Sequence, residues 1–361
     1  MNRLLNALLG VFVVASLACA PALADFDDAT NLASQTAGSF AGRQDIPGLA
    51  VTVAFLDGRR WSSGFGYADI ELRAPVDPAT TKFRVGSTAK SMTAMAVGQL
   101  YEQGKLDLDQ PIQRYLPDYP EKRGTITARL LGGHLSGTRH YADDEFLSDE
   151  HYDSVTDALS IFKDDPLQAE PGSQYIYSTY GFNLLSAVVE AASGDAFLDY
   201  MSANVFELVG MRDTVADQAM PIIPGRSRYY QLVDGRLENA PWVDNSNKWA
   251  GGGFLSTSDD LVRFALAHLT EDYLEAETVT LLWTPQQTTS GEATTYGIGW
   301  DIRNDPQGRR MARHSGGSVG GRTEMRIYRD FNLAIAVITN TSDADLIEIT
   351  SAIAEPLLAL D

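Results

Sequence analysis

The stretch GLAVTVAFLDGRRWSSGFGY, residues 48–67, sets the architecture. GLAVTVAFL at 48–56 is β-rich, Asp57-Gly58 supplies turn chemistry, and a second strand runs through Trp61, Phe65 and Tyr67, which makes a hairpin. Before it, Phe26, Ala29, Leu32, Ala33, Ala37 and Phe40 recur at helical spacing, predicting a helix over 26–44. The C-terminal end mirrors this pattern. Glu324–Tyr328 and Leu333–Thr339 read as strands joined at Arg329-Asp330-Phe331-Asn332, and a helix follows from about Ala344 to Leu358, with a kink or break expected at Pro356. Between the ends the pattern is mostly helical. Ser87–Gln103 is stopped by Gly104 and carries Met92, Met95, Ala96 and Leu100 on one face; Phe182–Ala192 follows, then Ser258–Leu269, opened by Thr257 or Ser258. Strands at both ends with helices between predict an α+β fold. One antiparallel sheet is built from both chain ends and flanked by helices, with an inserted, mainly helical lobe and a cleft where the lobes meet. No internal repeat appears, so residues 25–361 form one domain, with an α/β lobe at 25–86 and 288–361 and a helical lobe at 87–287.

The first 24 residues stand apart. A short basic start at Arg3 leads into LLNALLGVFVVASLACA, and Ala22 and Ala24 sit three and one residues before Asp25, the pattern of a signal peptide cut after Ala24. The apolar run is short for a membrane span, so the cleaved chain keeps no stable span and is expected in the periplasm or secreted. Cys19 is the single cysteine, and cleavage removes it together with any disulfide, thiol nucleophile or cysteine-ligated metal. The formal net charge of −20, with basic residues scattered, excludes nucleic acid as a partner. Five histidines, His134, His140, His151, His268 and His314, show no metal-ligand spacing, so no metal is expected and the first four read as structural.

Two serine motifs compete for a nucleophile's role. Gly316-Gly317-Ser318-Val319-Gly320 fits G-x-S-x-G, but that elbow needs a helix after the serine and a histidine downstream. Here RTEMRIY follows, which reads as a strand, and no histidine lies beyond His314. The other motif is S-x-x-K, present at Ser87–Lys90 and again at Ser160–Lys163. Ser160 lies at the end of a helical stretch closed by Asp164-Asp165-Pro166 and reads as surface, whereas Ser87 opens a long helix. Residues i and i+3 share a helix face, so Lys90 lies beside Ser87 Oγ, and the helix N-terminus favours negative charge there. A free lysine, with a pKa of about 10.4, must be lowered to act as a base. Tyr177, just before a helix, and His314, before the penultimate strand, are two candidates for a third group.

Ser87-x-x-Lys90, then Tyr177-Ser178-Thr179, then His314-Ser315-Gly316, taken in that order, resemble the three motifs of the serine β-lactamase and penicillin-binding family, in its class C-like branch. GKLDLDQPIQRYLP, LLGGHLSGTRHY, YSTYGFNLLSAVVE, WVDNSNKWAGGGFLST and HSGGSVGG are similar to the mitochondrial serine β-lactamase-like proteins and their bacterial relatives. The resemblance implies that Ser87 is acylated, Lys90 relays its proton, and Tyr177 is base toward Ser87 and acid toward the leaving group. His314 would take the place of the third motif's lysine. The N–H groups of Ser87 and Gly317 would form the oxyanion hole, with Thr179, Ser315 and Gly316 lining the substrate site. Such a site needs no cofactor, and its partner is a small peptide or peptide-like substrate. Two departures stand out. Thr179 replaces an asparagine whose amide helps hold the substrate, and His314 replaces a permanent cation with a group expected to titrate near pH 6.5. They also favour a second reading, a binding or self-assembling protein that kept the fold and lost efficient turnover.

Overall fold

Along Gly48–Phe55, labelled β1, every residue is buried, and alternate side chains enter different cores. Leu49, Val51, Val53 and Phe55 go to one side, Ala50 and Ala54 to the other, as a period of two requires. The structure, a computed structural model, describes residues 25–360, so the predicted signal peptide lies outside the described residues. The main sheet continues with β2 (Arg60–Asp69), β3 (Ala74–Pro75), β4 (Asp301–Asn304), β5 (Arg310–Ser318), β6 (Gly321–Tyr328) and β7 (Leu333–Thr339). Its order is β3-β2-β1-β7-β6-β5-β4, antiparallel throughout, so the two chain ends meet where Val51 pairs with Val337.

Five longer helices complete the frame: α1 (Phe26–Arg43), α2 (Ala89–Glu102), α3 (Thr179–Ser193), α4 (Ser258–Ala267) and α5 (Leu346–Leu358). The N-caps of α1 and α5 are Asp25 and Asp345, and both helices cover the face of larger side chains. The opposite face includes the alanines Ala50, Ala54, Ala334 and Ala336. These small side chains let α4 lie close, with Thr52 Oγ1 2.8 Å from Ser258 Oγ. By sequence range α4 falls within the helical lobe, yet it packs on the sheet against β1, β6 and β7.

Three local details differ from the sequence reading. The helix α2, read as one-sided, is buried at every residue from Ala89 to Leu100. Its polar residues are satisfied internally: Ser91 donates to Gly299 O and Thr93 to Ala250 O. The helix α3 begins three residues early because the Ser178 hydroxyl accepts from Gly181 N. Pro356 does not end α5, which runs on to Leu358; so near the helix end it removes a single ladder bond. Among the described residues no helix is long and apolar enough to cross a membrane.

Candidate active site

Ser87 sits in a 3₁₀ turn, Gly86–Thr88, that feeds directly into α2. Its chain neighbours are buried while Ser87 itself is half-buried, so the hydroxyl is reachable. Two glycines let β5 press against this turn. Gly86 has φ +53°, and a Cβ there would stand 2.6 Å from Gly317 N. A Cβ on Gly316 would stand 1.9 Å from Val85 O. The strand before the turn is anchored by buried Arg84, which pairs with Asp217 at 2.7 Å and donates to Val319 O at 2.8 Å.

Lys90 is fully buried, with Nζ 3.1 Å from Ser87 Oγ, 3.2 Å from Thr179 Oγ1 and 2.6 Å from Gly251 O. No carboxylate faces it, and burial holds its pKa well below the ordinary lysine value. An uncharged amine has two N–H donors and one lone pair. The carbonyl of Gly251 can only accept and takes one donor, Thr179 Oγ1 takes the other, and the lone pair is left for the Ser87 proton. Thr179 therefore supports Lys90 by accepting from it, and its side chain also lines the cavity at Ser87.

Tyr177 is held by a loop the sequence reading left as structural. His134 O accepts from Ile176 N, His134 Nδ1 from Ser178 N and His140 Nδ1 from Thr179 N, which fixes the backbone on both sides of the tyrosine. The His134 ring lies 4.2 Å from the Tyr177 ring, and Lys90 Nζ lies 4.9 Å from that ring's centre. Burial pushes the Tyr177 phenol above its ordinary pKa, against a hydrogen bond with Ser87 that lowers it. Burial thus favours the protonated phenol at rest, which suits the acid half of the role that the resemblance implied.

His314 lies within β5, the strand before the penultimate strand β6 and paired with it. Its Nδ1 is 2.7 Å from Ser315 O, which can only accept, so Nδ1 carries the proton. Nε2 is then bare and accepts from the Tyr296 hydroxyl at 2.7 Å. Burial, and then the nearby Lys90, lower its pKa to about 3. Burial therefore favours a neutral His314 in place of the titration near pH 6.5 expected from the sequence. Activity should instead rise with pH as Lys90 loses its proton and persist into the alkaline range while Tyr177 keeps its own. Lys248, also in the site, is lowered to about 7 by burial. Any neutral limb in a pH–rate profile should disappear in Lys248→Met and survive in His314→Gln; the opposite pattern would contradict these assignments.

Two cavities meet at Ser87. One, of about 120 Å³, is lined by His140, Tyr141, Thr179, Lys248 and Gly251 among others; the second, of about 360 Å³, by Phe146, Gln231, Ser318 and Arg322 among others. Gly317 lines both, Gly316 backs the Ser87 turn, and exposed Ser315 lines neither. The structure thus gathers Ser87, Lys90, Tyr177, Thr179, Gly316 and Gly317, and adds His134, His140, Lys248, Gly251 and Tyr296, which spacing did not single out. Ser160 is exposed, with its hydroxyl 2.6 Å from Asp157 O, and Ser318 ends β5 at a hairpin. Among the described residues no group of three or more potential metal ligands gathers.

This arrangement coincides with a known family: the Beta-lactamase family model matches residues 31–357. The chain belongs to the β-lactamase family. It is 35% identical over 370 residues to the human "Serine beta-lactamase-like protein LACTB, mitochondrial", covering 76% of this chain and 67% of that protein. A penicillin-binding protein from Bacillus halodurans is similar in structure, with a TM-score of 0.76 and 27% identity over 88% of this chain and 98% of that one. The D-amino acid amidase of Ochrobactrum anthropi SV3, complexed with L-phenylalanine amide, shares the fold at a TM-score of 0.78 and 22% identity, over 92% of this chain and 98% of that one. The serine hydrolase fold of the β-lactamase family accounts for the mixed architecture and for Ser87 at the foot of the central helix.

Proposed function

We propose that this chain is a serine hydrolase that forms an acyl-enzyme at Ser87 and hydrolyses an amide or ester bond in a peptide-like substrate. The observation that carries this reading is the buried, carboxylate-free Lys90 with Nζ 3.1 Å from Ser87 Oγ. Lys90 takes the hydroxyl proton as Oγ attacks the carbonyl carbon. Negative charge on the carbonyl oxygen is met by the N–H groups of Ser87 and Gly317, a contribution of roughly 10²–10³ in rate per donor. Tyr177, protonated at rest, gives its proton to the departing amine or alcohol as the carbonyl bond to it breaks. The proton on Lys90 then restores the phenol, so both groups end as they began. Water repeats the sequence on the ester at Ser87 and releases the acid. The B. halodurans neighbour is described as a penicillin-binding protein, which makes penicillin a suitable probe.

Treating the chain, cut after Ala24, with a fluorophosphonate and separately with a fluorescent penicillin should place both adducts on the Ser87 peptide by mass. Fluorophosphonate on any other serine, or on none, would defeat this reading in favour of a binding or assembly role.

A further inference from the structure

The walls around Ser87 are biased in charge. No side chain lining either cavity is a carboxylate, in a chain with 48 Asp and Glu against 28 Lys and Arg. Each cavity carries one lysine or arginine side chain, and the two are not equivalent. Lys248 is buried, donates to Phe146 O at 2.9 Å and lies over the Tyr141 and Phe146 rings, so its amine is engaged within the wall. Arg322 is exposed. Its Nε donates to Ser342 O, and it forms no ion pair among the described residues, which leaves the four Nη hydrogens for a ligand.

The position of Arg322 tells which part of a substrate it would meet. It is the cross-strand partner of Gly317, and a Cβ on Gly317 would stand 2.7 Å from its Nη1. The leaving-group end of the site is marked by Tyr177, whose ring packs on His134, which packs on Tyr296, which bonds to His314. His314 and Gly317 are three residues apart on β5, about 10 Å at the rise of a strand. The leaving group therefore departs toward the His314 end, and the retained acyl group extends toward Ser318 and Arg322.

We propose that Arg322 is the specificity-determining residue for a carboxylate on the acyl part of the substrate. This rests on Ser87 being the nucleophile. The planar guanidinium can grip a carboxylate through two parallel N–H bonds, and no acidic side chain in the cavity competes for it.

The test compares two fluorophosphonates of equal chain length, one ending in a carboxylate and one in a methyl group. On reaction the fluoride leaves and the chain stays on phosphorus, so the chain stands in for the acyl group. The carboxylate probe should label Ser87 about tenfold faster than the methyl probe, the effect of a charge-assisted hydrogen bond. The ratio should fall toward one in Arg322→Gln, recover in part in Arg322→Lys, and shrink with added salt. Labelling of Ser87 by both probes at equal rates, or a preference that survives in Arg322→Gln, overturns this proposal and leaves the hydrolase reading intact. No label on Ser87 from either probe overturns both.

Discussion

Lys90→Met is expected to slow acylation of Ser87 by about 10²–10⁴-fold, the range a positioned general base contributes, and to leave the protein folded. Methionine matches the lysine stem in length and suits a site with no exposure. Gly251 O and Thr179 Oγ1 lose their partner, a cost of about 1–3 kcal/mol, while an amine no longer has to be desolvated. Labelling rate and melting temperature should therefore separate: the first collapses and the second moves by a few degrees. A parallel collapse of both would make Lys90 a structural residue and remove it from the chemistry.

Gly316→Ala should be as damaging by another route. The added Cβ would meet the carbonyl oxygen of Val85 at 1.9 Å and Ser87 N at 3.1 Å, and both are backbone atoms with no rotamer to change. β5 must then draw back from the Ser87 turn, taking Gly317 N–H out of line with Ser87 N–H. A loss of about 10²–10³ in acylation rate follows from one displaced oxyanion donor, with about 1–3 kcal/mol of stability lost to overpacking. Turnover close to that of the unmodified chain would mean that β5 can yield without disturbing the site.

Much of the fold is legible in the chain because it rests on short-range signals. Asp57-Gly58 places the first hairpin, and the run Leu333–Thr339 is a strand to the residue. The signals that failed are those set by distant partners. Nothing local shows that Ser91 and Thr93 donate to Gly299 and Ala250, so α2 reads as half-exposed when it is the central helix. In the site, the serine and lysine are legible because one turn of helix brings them together. The electrostatics are not. The His314 charge is set by burial and then by Lys90, and its Nε2 bonds to Tyr296, 18 residues away; the residues around it in the chain carry no trace of these. His134 and His140 lie in LLGGHLSGTRHY, where the spacing rules out a metal but does not reveal that both rings accept N–H groups beside Tyr177.

The charge on Lys90 separates a base poised to take the Ser87 proton from a buried cation that could only attract negative charge. The chain has six lysines, so the ¹³Cε resonance of Lys90 can be assigned by its absence from Lys90→Met and followed through a pH titration. The expected result is a midpoint well below the ordinary value of about 10.4, with the rise in Ser87 labelling following the same curve. A Lys90 that stays protonated through neutral pH while Ser87 is labelled at full rate would contradict it.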